Sequence, residues 1–452
     1  MKKMNLEEIS AACGGQLVSG KDIIITSIVT DSRKADAGCL FAAIKGERTD
    51  GHNFIKTAAQ QGAAAVLCEK APENTDIPYI LTSSTLKALQ DIAAYILKKA
   101  EIPVVGIGGS VGKTSTKEAV AAVLSQKYSV LKTEANFNNN LGLPLTVFNL
   151  EESNNAAVLE MGISDFGEMH LLASIARPDI CILTNIGDCH LENLGDRAGV
   201  FKAKTEMFDF LEPSGHIILN GDDEYLKNVG DVNGVKPIFF GLEKANDFWA
   251  DNIKAAGIYG ISCDIHGPEA KFSTLIPKPG LHMVYNALAA AAAGSVMGLS
   301  PEEIKRGIEQ QENVGGRFNI IEKNGITIID DCYNANPMSM KASLESLSRA
   351  DSRRVAVLGD MGELGKNEKE LHGQVGEFAA GLPLDAVICI GSLSRYIAEK
   401  AAENPAIQVV CFDDKESFLK DKGSYIKSGD TVLVKASHFM DFKNIVNELA
   451  GD

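Results

Sequence analysis

The residues best equipped for chemistry lie at positions 108–115, "GGSVGKTS". Gly108, Gly109 and Gly112 let backbone N–H groups turn inward, with Ser110 and Val111 inside the turn. A helix that starts there already favours anions. In such a loop Lys113 reaches terminal phosphates and the Thr114 hydroxyl binds Mg²⁺, with Ser115 next on the first helical turn. The pattern is Gly-x-x-Gly-Lys-Thr, and the longer phosphate-loop pattern would need a glycine at 107, where this chain has Ile. The plain alternative is a glycine-rich turn with a surface lysine. The flanks argue for the phosphate cradle: 102–107 is an apolar, β-branched run that reads as a buried strand, and 114–124 has helical spacing.

A second group consists of carboxylates and a histidine at strand ends. Glu160 closes "AAVLEMG" and His190 follows "DICILTNIG". In parallel α/β sheets ligands collect at the carboxyl ends of strands, so both could face the cradle. They could ligate a divalent metal beside ATP, although Mg²⁺ prefers oxygen. Read alone, Glu160 is also a strand-end ion pair and His190 a loop surface residue. Lys202 and Lys204 start the helix "GVFKAKTEMF", where a solvated lysine is the default. Asp222, Asp223, Asp330, Asp331, Asp360 and Glu363 all follow strands. The loop "DDCYNANPMS" packs Asp, Tyr, Asn334 and Asn336 ahead of Pro337; it can meet ribose or phosphate, or be a turn. Cys181, Cys189 and His190 lack zinc spacing, and the two cysteines read as core filler.

These residues need elements to position them. The 452 residues suffice for about three domains at roughly 150 residues each. Residues 1–101 form a first unit ending in the amphipathic helix "STLKALQDIAAYILKKA". From 102 to 314, strands "PVVGI", "AAVLEMG", "DICILTNIG", "GHIILNGDD" and "KPIFFG" alternate with helices, which implies a parallel sheet covered on both faces. The unit closes with the Ala-rich helix "HMVYNALAAAAAGSVMGL". After "NVGGRF", residues 315–452 repeat the alternation in "GITIIDD", "RRVAVLGD", "DAVICIG", "IQVVCF" and "DTVLVKA". The expected class is α/β in three domains. A net charge of −16 argues against a nucleic-acid partner. The first 15 residues carry two lysines with no apolar stretch after them, so neither a signal peptide nor a membrane span is expected, and nine scattered cysteines fit cytosolic thiols.

Taken in order, the motifs resemble the Mur ligase family of peptidoglycan synthesis over nearly the whole chain. They are "TDSRKADAGCLFAAIKGERTDGHNF", "GSVGKTSTKE", "TEANFNNNLGLPLT", "LEMGIS", "TNIGDCHLENLG", "AKTEMF", "HMVYNALAA", "GGRF", "DDCYNANPMSM", "LGDMGELG" and "LVKASHFM". The short glycine loop is the form this family uses, which accounts for Ile107. The resemblance implies a central ATPase domain of P-loop type between an N-terminal UDP-binding domain and a C-terminal Rossmann-like domain. It implies that Lys113 and Thr114 hold ATP and Mg²⁺, and that Glu160 and His190 ligate a second Mg²⁺. Lys204 matches a lysine that carries a carbamate in related ligases. Asn286 resembles an adenine contact, and Arg317 and Asp331 approach the nucleotide from the third unit. Asn138 and Asn139 lie where the family loop meets phosphate or substrate. Ser32, Arg33, Lys45, Gly46, Asp50 and Gly51 fall in the UDP-binding stretch, and Lys435 and Ser437 match a loop near the incoming amine.

Within the family the motifs most resemble the branch that joins D-alanyl-D-alanine to UDP-N-acetylmuramoyl-tripeptide. The implied chemistry is activation of a carboxylate as an acyl phosphate, then attack by an amine, in a cytoplasmic monomer. A sibling adding one amino acid is the rival; its Asp-Asn-Pro-Arg loop is absent. Folylpolyglutamate synthase would not need the first unit. A GTP switch would show Asn-Lys-x-Asp, and no Asn-Lys pair occurs in the chain.

Overall fold

Buried apolar runs set the inner strands. Val104–Gly108, Ala156–Glu160 and Ile180–Leu183 are buried at every position, as strands covered on both faces must be. The computed structural model describes residues 3–46, 49–73, 76–268, 270–311 and 315–451. The expected boundary at 314, the chain ends at 1 and 452, and the Glu47-Arg48 and Asn313-Val314 parts of two motifs lie outside the described residues.

The central sheet has nine strands. From one edge they run Ala270–Ile276, Ile261–Gly267, Phe248–Ala255, Ile238–Gly241, His216–Asn220, Ile180–Leu183, Val104–Gly108, Ala156–Glu160 and Val130–Lys132. The last seven are parallel; the first three pair antiparallel. The strands expected to be parallel are parallel, and the antiparallel edge is an addition to them. Its strands alternate buried and half-exposed residues, as in "ISCDIHG", the pattern of an antiparallel ribbon with one wet face. The chain leaves Val104–Gly108 for the far edge, returns beside it at Ala156–Glu160, then crosses to its other side at Ile180–Leu183. Strand order therefore reverses at Val104–Gly108, and a crevice opens at its carboxyl end.

One face of this sheet is covered by Lys113–Leu124, Leu281–Val296 and Pro301–Glu309. Ala287 and Ala289–Ala293 are buried along the second of these; methyl-sized side chains let it lie close to its neighbours. The other face shares one continuous apolar core with the first unit, through Thr85–Ala100 packed on Gly142–Val147 and Glu168–Ala176.

The first unit's sheet runs Gln16–Leu17, Tyr79–Leu81, Ala65–Cys68, Cys39–Ala42, Ser27–Val29, parallel except for its first pair. The third runs Asn319–Lys323, Ile326–Asp330, Thr431–Lys435, Arg354–Gly359, Ala386–Ile390, Gln408–Phe412, parallel except at Asn319–Lys323. Apolar clusters cover both its faces. Among the described residues no helix is long and apolar enough to cross a membrane.

Candidate active site

The glycine loop leaves the buried strand Val104–Gly108 and enters the helix Lys113–Leu124. Gly109 has φ +141°, and a Cβ there would lie 1.9 Å from Thr184 Oγ1. Only glycine fits, and the backbone passes close beneath the next strand's end. Gly112, at φ +82°, turns the chain into the helix. The loop is held from the strand Ile180–Leu183: the Asn185 side chain accepts from Val111 N at 2.9 Å and donates to Val111 O at 3.0 Å. Thr184 Oγ1 donates to the same carbonyl at 2.6 Å. Ser110 Oγ accepts from Gly187 N at 2.8 Å and from Cys189 Sγ at 3.2 Å. Cys181 and Cys189 are buried thiols, as expected of core filler.

Lys113 Nζ lies back over its own loop, donating to Gly109 O at 2.8 Å. Thr114 Oγ1 donates to Glu160 Oε2 at 2.8 Å, and Asn138 Nδ2 donates to Glu160 Oε1 at 2.8 Å. Glu160 is 2% exposed, and its backbone N donates to Thr133 Oγ1 at 2.9 Å. Motifs that are 46 and 22 residues apart in the chain thus meet on one carboxylate. Asn139 Oδ1 accepts from Gly142 N at 2.8 Å, at the start of the helix Gly142–Val147. Asn286 Oδ1 accepts from Thr116 Oγ1 at 2.9 Å, linking the Ala-rich helix to the phosphate-loop helix.

Lys204 departs from the solvated reading of its helix. It is 1% exposed, and its Nζ donates to Gly109 O at 3.0 Å from beneath the loop. Burial first, then the nearby Lys113 charge, pulls its pKa down to about 8, with Cys189 opposing. Lys202 is exposed, as the solvated reading has it, with its ammonium 5.8 Å from the Phe166 ring centroid.

The third unit forms the facing wall. Asp331 and Lys435 leave adjacent parallel strands, and Lys435 Nζ pairs with Asp331 Oδ2 at 2.6 Å. Asp331 also accepts from Ser343 Oγ at 2.5 Å and Phe318 N at 3.1 Å. Lys435 further donates to Asn334 O at 3.1 Å. The Arg317 guanidinium lies 4.1 Å from the Tyr333 ring centroid, a cation–π contact that fixes its direction. Asn336 caps the helix Pro337–Leu347 in a capping box with Ser339. Ser437 Oγ bridges two loops, accepting from Gly362 N at 2.9 Å and donating to Ala335 O at 3.2 Å. Across the walls His190 Nδ1 meets Glu363 Oε2 at 2.9 Å, and this contact lowers the Glu363 pKa.

One cavity of ≈ 840 Å³ lies between the walls. Of the expected residues, Ser110, Val111, Gly112, Lys113, Thr114, Ser115, Asn138, Asn139, Glu160, His190, Asn286, Arg317, Asp331, Asn334, Asn336 and Lys435 line it. Gly108, Gly109, Lys204 and Ser437 lie behind the lining. The first unit's residues stand apart from it. Ser32 is buried in a short 3₁₀ turn capped by Asp31. Arg33 pairs with Asp31 at 2.7 Å while 85% exposed. Lys45 and Asp50 form a backbone bridge, Gly46 N donates to Thr49 O, and Gly51 N donates to Ile44 O. The sequence reading passed over Thr116, Thr184, Asn185, Tyr333 and His282 as individual residues. The signal for Thr184-Asn185 was present, as a polar pair directly after a buried strand.

The donors at Glu160 suit a hard cation. The carboxylate and the Thr114 hydroxyl bring oxygen ligands together, while Asn138 turns its amide nitrogen to the same carboxylate. That fits Mg²⁺, which takes one or two protein oxygens and completes its shell with phosphate and water.

Residues 107–294 match the family description "Mur ligase middle domain", 316–438 "Mur ligase, glutamate ligase domain" and 24–109 "Mur ligase family, catalytic domain". A UDP-N-acetylmuramoyl-tripeptide–D-alanyl-D-alanine ligase of Bacillus subtilis is 37% identical over 99% of both chains. The crystal structure of MurF from Acinetobacter baumannii aligns over the full length of both chains with a TM-score of 0.92 and 30% identity. MurF from Thermotoga maritima, solved in complex with ADP, aligns with a TM-score of 0.84 and 31% identity, over 94% of this chain and 97% of that one. With whole-length identity at this level, the chain belongs to the Mur ligase family.

Proposed function

We propose that this chain is an ADP-forming amide ligase that joins D-alanyl-D-alanine to UDP-N-acetylmuramoyl-tripeptide. The observation that carries this reading is end-to-end similarity to ligases named for that reaction, in Bacillus subtilis and in Escherichia coli at 36% identity. The cavity supports it, because it is walled by a phosphate cradle on one side and a hydrogen-bonding face carrying Arg317 and the Lys435–Asp331 pair on the other.

A carboxylate is too poor an electrophile to take up an amine at neutral pH. In the proposed course the tripeptide carboxylate oxygen attacks the γ-phosphorus of ATP, and the bond to ADP breaks. The dipeptide amine then attacks the acyl carbon, phosphate leaves with the C–O bond, and the amine loses a proton. The loop N–H groups and Lys113 hold the terminal phosphates, and Thr184 and Asn185 keep that loop in shape. Thr114, Glu160 and His190 are the residues to hold Mg²⁺ at two positions, and Lys204 is assigned as a carbamate that adds negative charge beneath them. Bound Mg²⁺ supplies the neutralisation that lets two anions approach. Asn286 and Asp331 take the nucleoside end, Arg317 the phosphates, and Lys435 and Ser437 the incoming dipeptide. The third unit keeps water from the acyl phosphate.

The domain division 1–101, 102–314 and 315–452 follows this assignment, with Ser32, Arg33, Lys45, Gly46, Asp50 and Gly51 binding the UDP end. The enzyme is placed in the cytoplasm as a monomer. The test is ADP release with ATP, UDP-MurNAc-tripeptide and D-alanyl-D-alanine. Turnover is expected with the dipeptide and not with single D-alanine; equal turnover with single amino acids transfers the chain to a sibling activity.

A further inference from the structure

The antiparallel edge of the central sheet ends in a feature that the reaction scheme leaves unused. The strands Phe248–Ala255 and Ile261–Gly267 are joined by a turn at 256–260, closed by Ala256 N donating to Gly260 O at 2.9 Å. Turn tips are ordinarily polar and wet. Here Ile258 is 5% exposed and belongs to the third unit's apolar cluster, with Phe318, Ile329, Ala335, Met340 and Met361. Its neighbour Tyr259 donates its hydroxyl to Glu322 Oε1 of the third unit at 2.6 Å. Beside them a cavity of ≈ 390 Å³ runs between Tyr259, Pro277, Pro279, Phe318, Ile320 and Glu322. The hairpin thus makes an apolar and a polar contact with the other unit, side by side.

Those contacts fall beside Arg317: Phe318 shares the Ile258 cluster, and Glu322 lies on the strand Asn319–Lys323 that follows the turn. Gly316 has φ +73° and Phe318 φ +51°, so the two residues flanking Arg317 are both in the left-handed region. A bulky aromatic stays there only when its surroundings hold it. Phe318 is 7% exposed in the cluster that Ile258 enters, and its N–H is fixed on Asp331. We infer that the 256–260 hairpin is a latch between the units, and that Ile258 and Tyr259 are positioning residues: they hold the 316–318 turn and keep the third unit's wall over the phosphate loop. The kinetic side of this inference rests on the ligase reading above; the structural side does not.

The experiment compares wild type with Ile258→Ser, Ile258→Val and Tyr259→Phe. Radius of gyration is measured by small-angle scattering in the presence of ADP, and folding is checked by circular dichroism. Steady-state ADP release is measured with the UDP-tripeptide and the dipeptide. Ile258→Ser is expected to expand the molecule and to lower kcat by up to about 100-fold, the scale of effect that a catalytic group misplaced by about 1 Å produces. KM for the UDP-tripeptide should stay within about twofold, because that substrate is held by the first unit and its site is not moved. Ile258→Val should restore both compactness and rate, and Tyr259→Phe should give a smaller shift in the same direction. A folded Ile258→Ser with wild-type compactness and rate overturns the latch, as does a Tyr259→Phe that loses rate with no change in shape. If Ile258→Ser does not fold, Tyr259→Phe decides by the same two readouts. Failure of the wild type to turn over tripeptide and dipeptide overturns the ligase reading, while scattering still decides the latch.

Discussion

The cleft and the first unit's turns hold their polar residues in opposite ways. In the cleft, two charged groups are buried and locked: Glu160 is 2% exposed with both carboxylate oxygens taken, and Lys435 is 3% exposed on Asp331. In the first unit, Arg33 stands 85% exposed with one local partner two residues away. A buried polar group must be fully hydrogen-bonded to be tolerated, so the cleft's geometry is determined before any ligand arrives. The exposed turns are free to rearrange on a ligand. Preorganised charge suits bond making; adaptable charge suits holding a large, distant part of a substrate.

The largest expected effect lies on the locked side. Glu160→Gln keeps the volume and the acceptor for Thr114 but removes the charge. Activity should fall at least about 100-fold, the scale of losing one preorganised electrostatic group. The Mg²⁺ concentration for half-maximal rate should rise as well. An ordinary rate at ordinary Mg²⁺ would mean that the buried carboxylate is only a strut, and the contrast between the two regions would lose its meaning.

A smaller effect tests how far locking extends. His372 is fully buried in the third unit, with Nδ1 donating to Glu368 O at 2.6 Å and Nε2 accepting from Met361 N at 2.9 Å. That arrangement needs a neutral ring, and burial lowers the His372 pKa from its ordinary 6.5, with Glu368 and Asp360 opposing. The folded state therefore binds fewer protons than the unfolded chain just below pH 6.5. Its contribution is intact above pH 6.5 and is lost as pH falls toward the folded pKa. His282, half-buried at the cavity and lowered by desolvation, acts in the same direction. Denaturant midpoints should drop from pH 7 to pH 5.5 in the wild type and drop less in His372→Gln. That variant should be weaker at pH 7 by about 1–3 kcal/mol, the range for leaving a buried N–H without its acceptor. An identical pH slope in both proteins would remove His372 from the account.

The sequence made the locked side legible, because each motif carries a local constraint. Gly109 is demanded by a strand-to-helix turn, Asn336 by a helix start, and Glu160 by a strand end, and each of these shows in a few neighbouring residues. What stayed hidden was long-range. Nothing near Lys204 says that the loop at Gly109 covers it, so the residue types alone read as solvated. The antiparallel edge was not read: "ISCDIHG" alternates cleanly, but "FWADNIKA" keeps its alternation only over its first half and then turns exposed. Ile258 reads as a chance apolar residue in a turn until the third unit is placed against it. The Asn286–Thr116 bond joins residues 170 apart, which no spacing rule connects.

The smallest expected effect is on the adaptable side, and it separates binding from folding. Arg33 holds the Asp31 carboxyl down at about 2, first through its side-chain hydrogen bond and then through the Arg33 backbone N–H. Both groups are in solvent, and exposed pairs of this kind contribute little to stability. Arg33→Ala should therefore leave the Tm unchanged. If the turn binds the UDP end, KM for the UDP-tripeptide should rise several-fold, with kcat and the KM for ATP unchanged, because uniform binding has been lost and nothing specific to the transition state. Lys45→Ala, on the neighbouring bridged turn, should behave alike. A fall in kcat at unchanged KM would move Arg33 into the catalytic set, and an equal rise in the KM for ATP would move it to the nucleotide. Either result would erase the division between a rigid cleft that makes the bond and an exposed turn that holds the substrate's far end. A pure rise in UDP-tripeptide KM would place that division between residues 33 and 45 on one side and the walls at 113, 160 and 331 on the other.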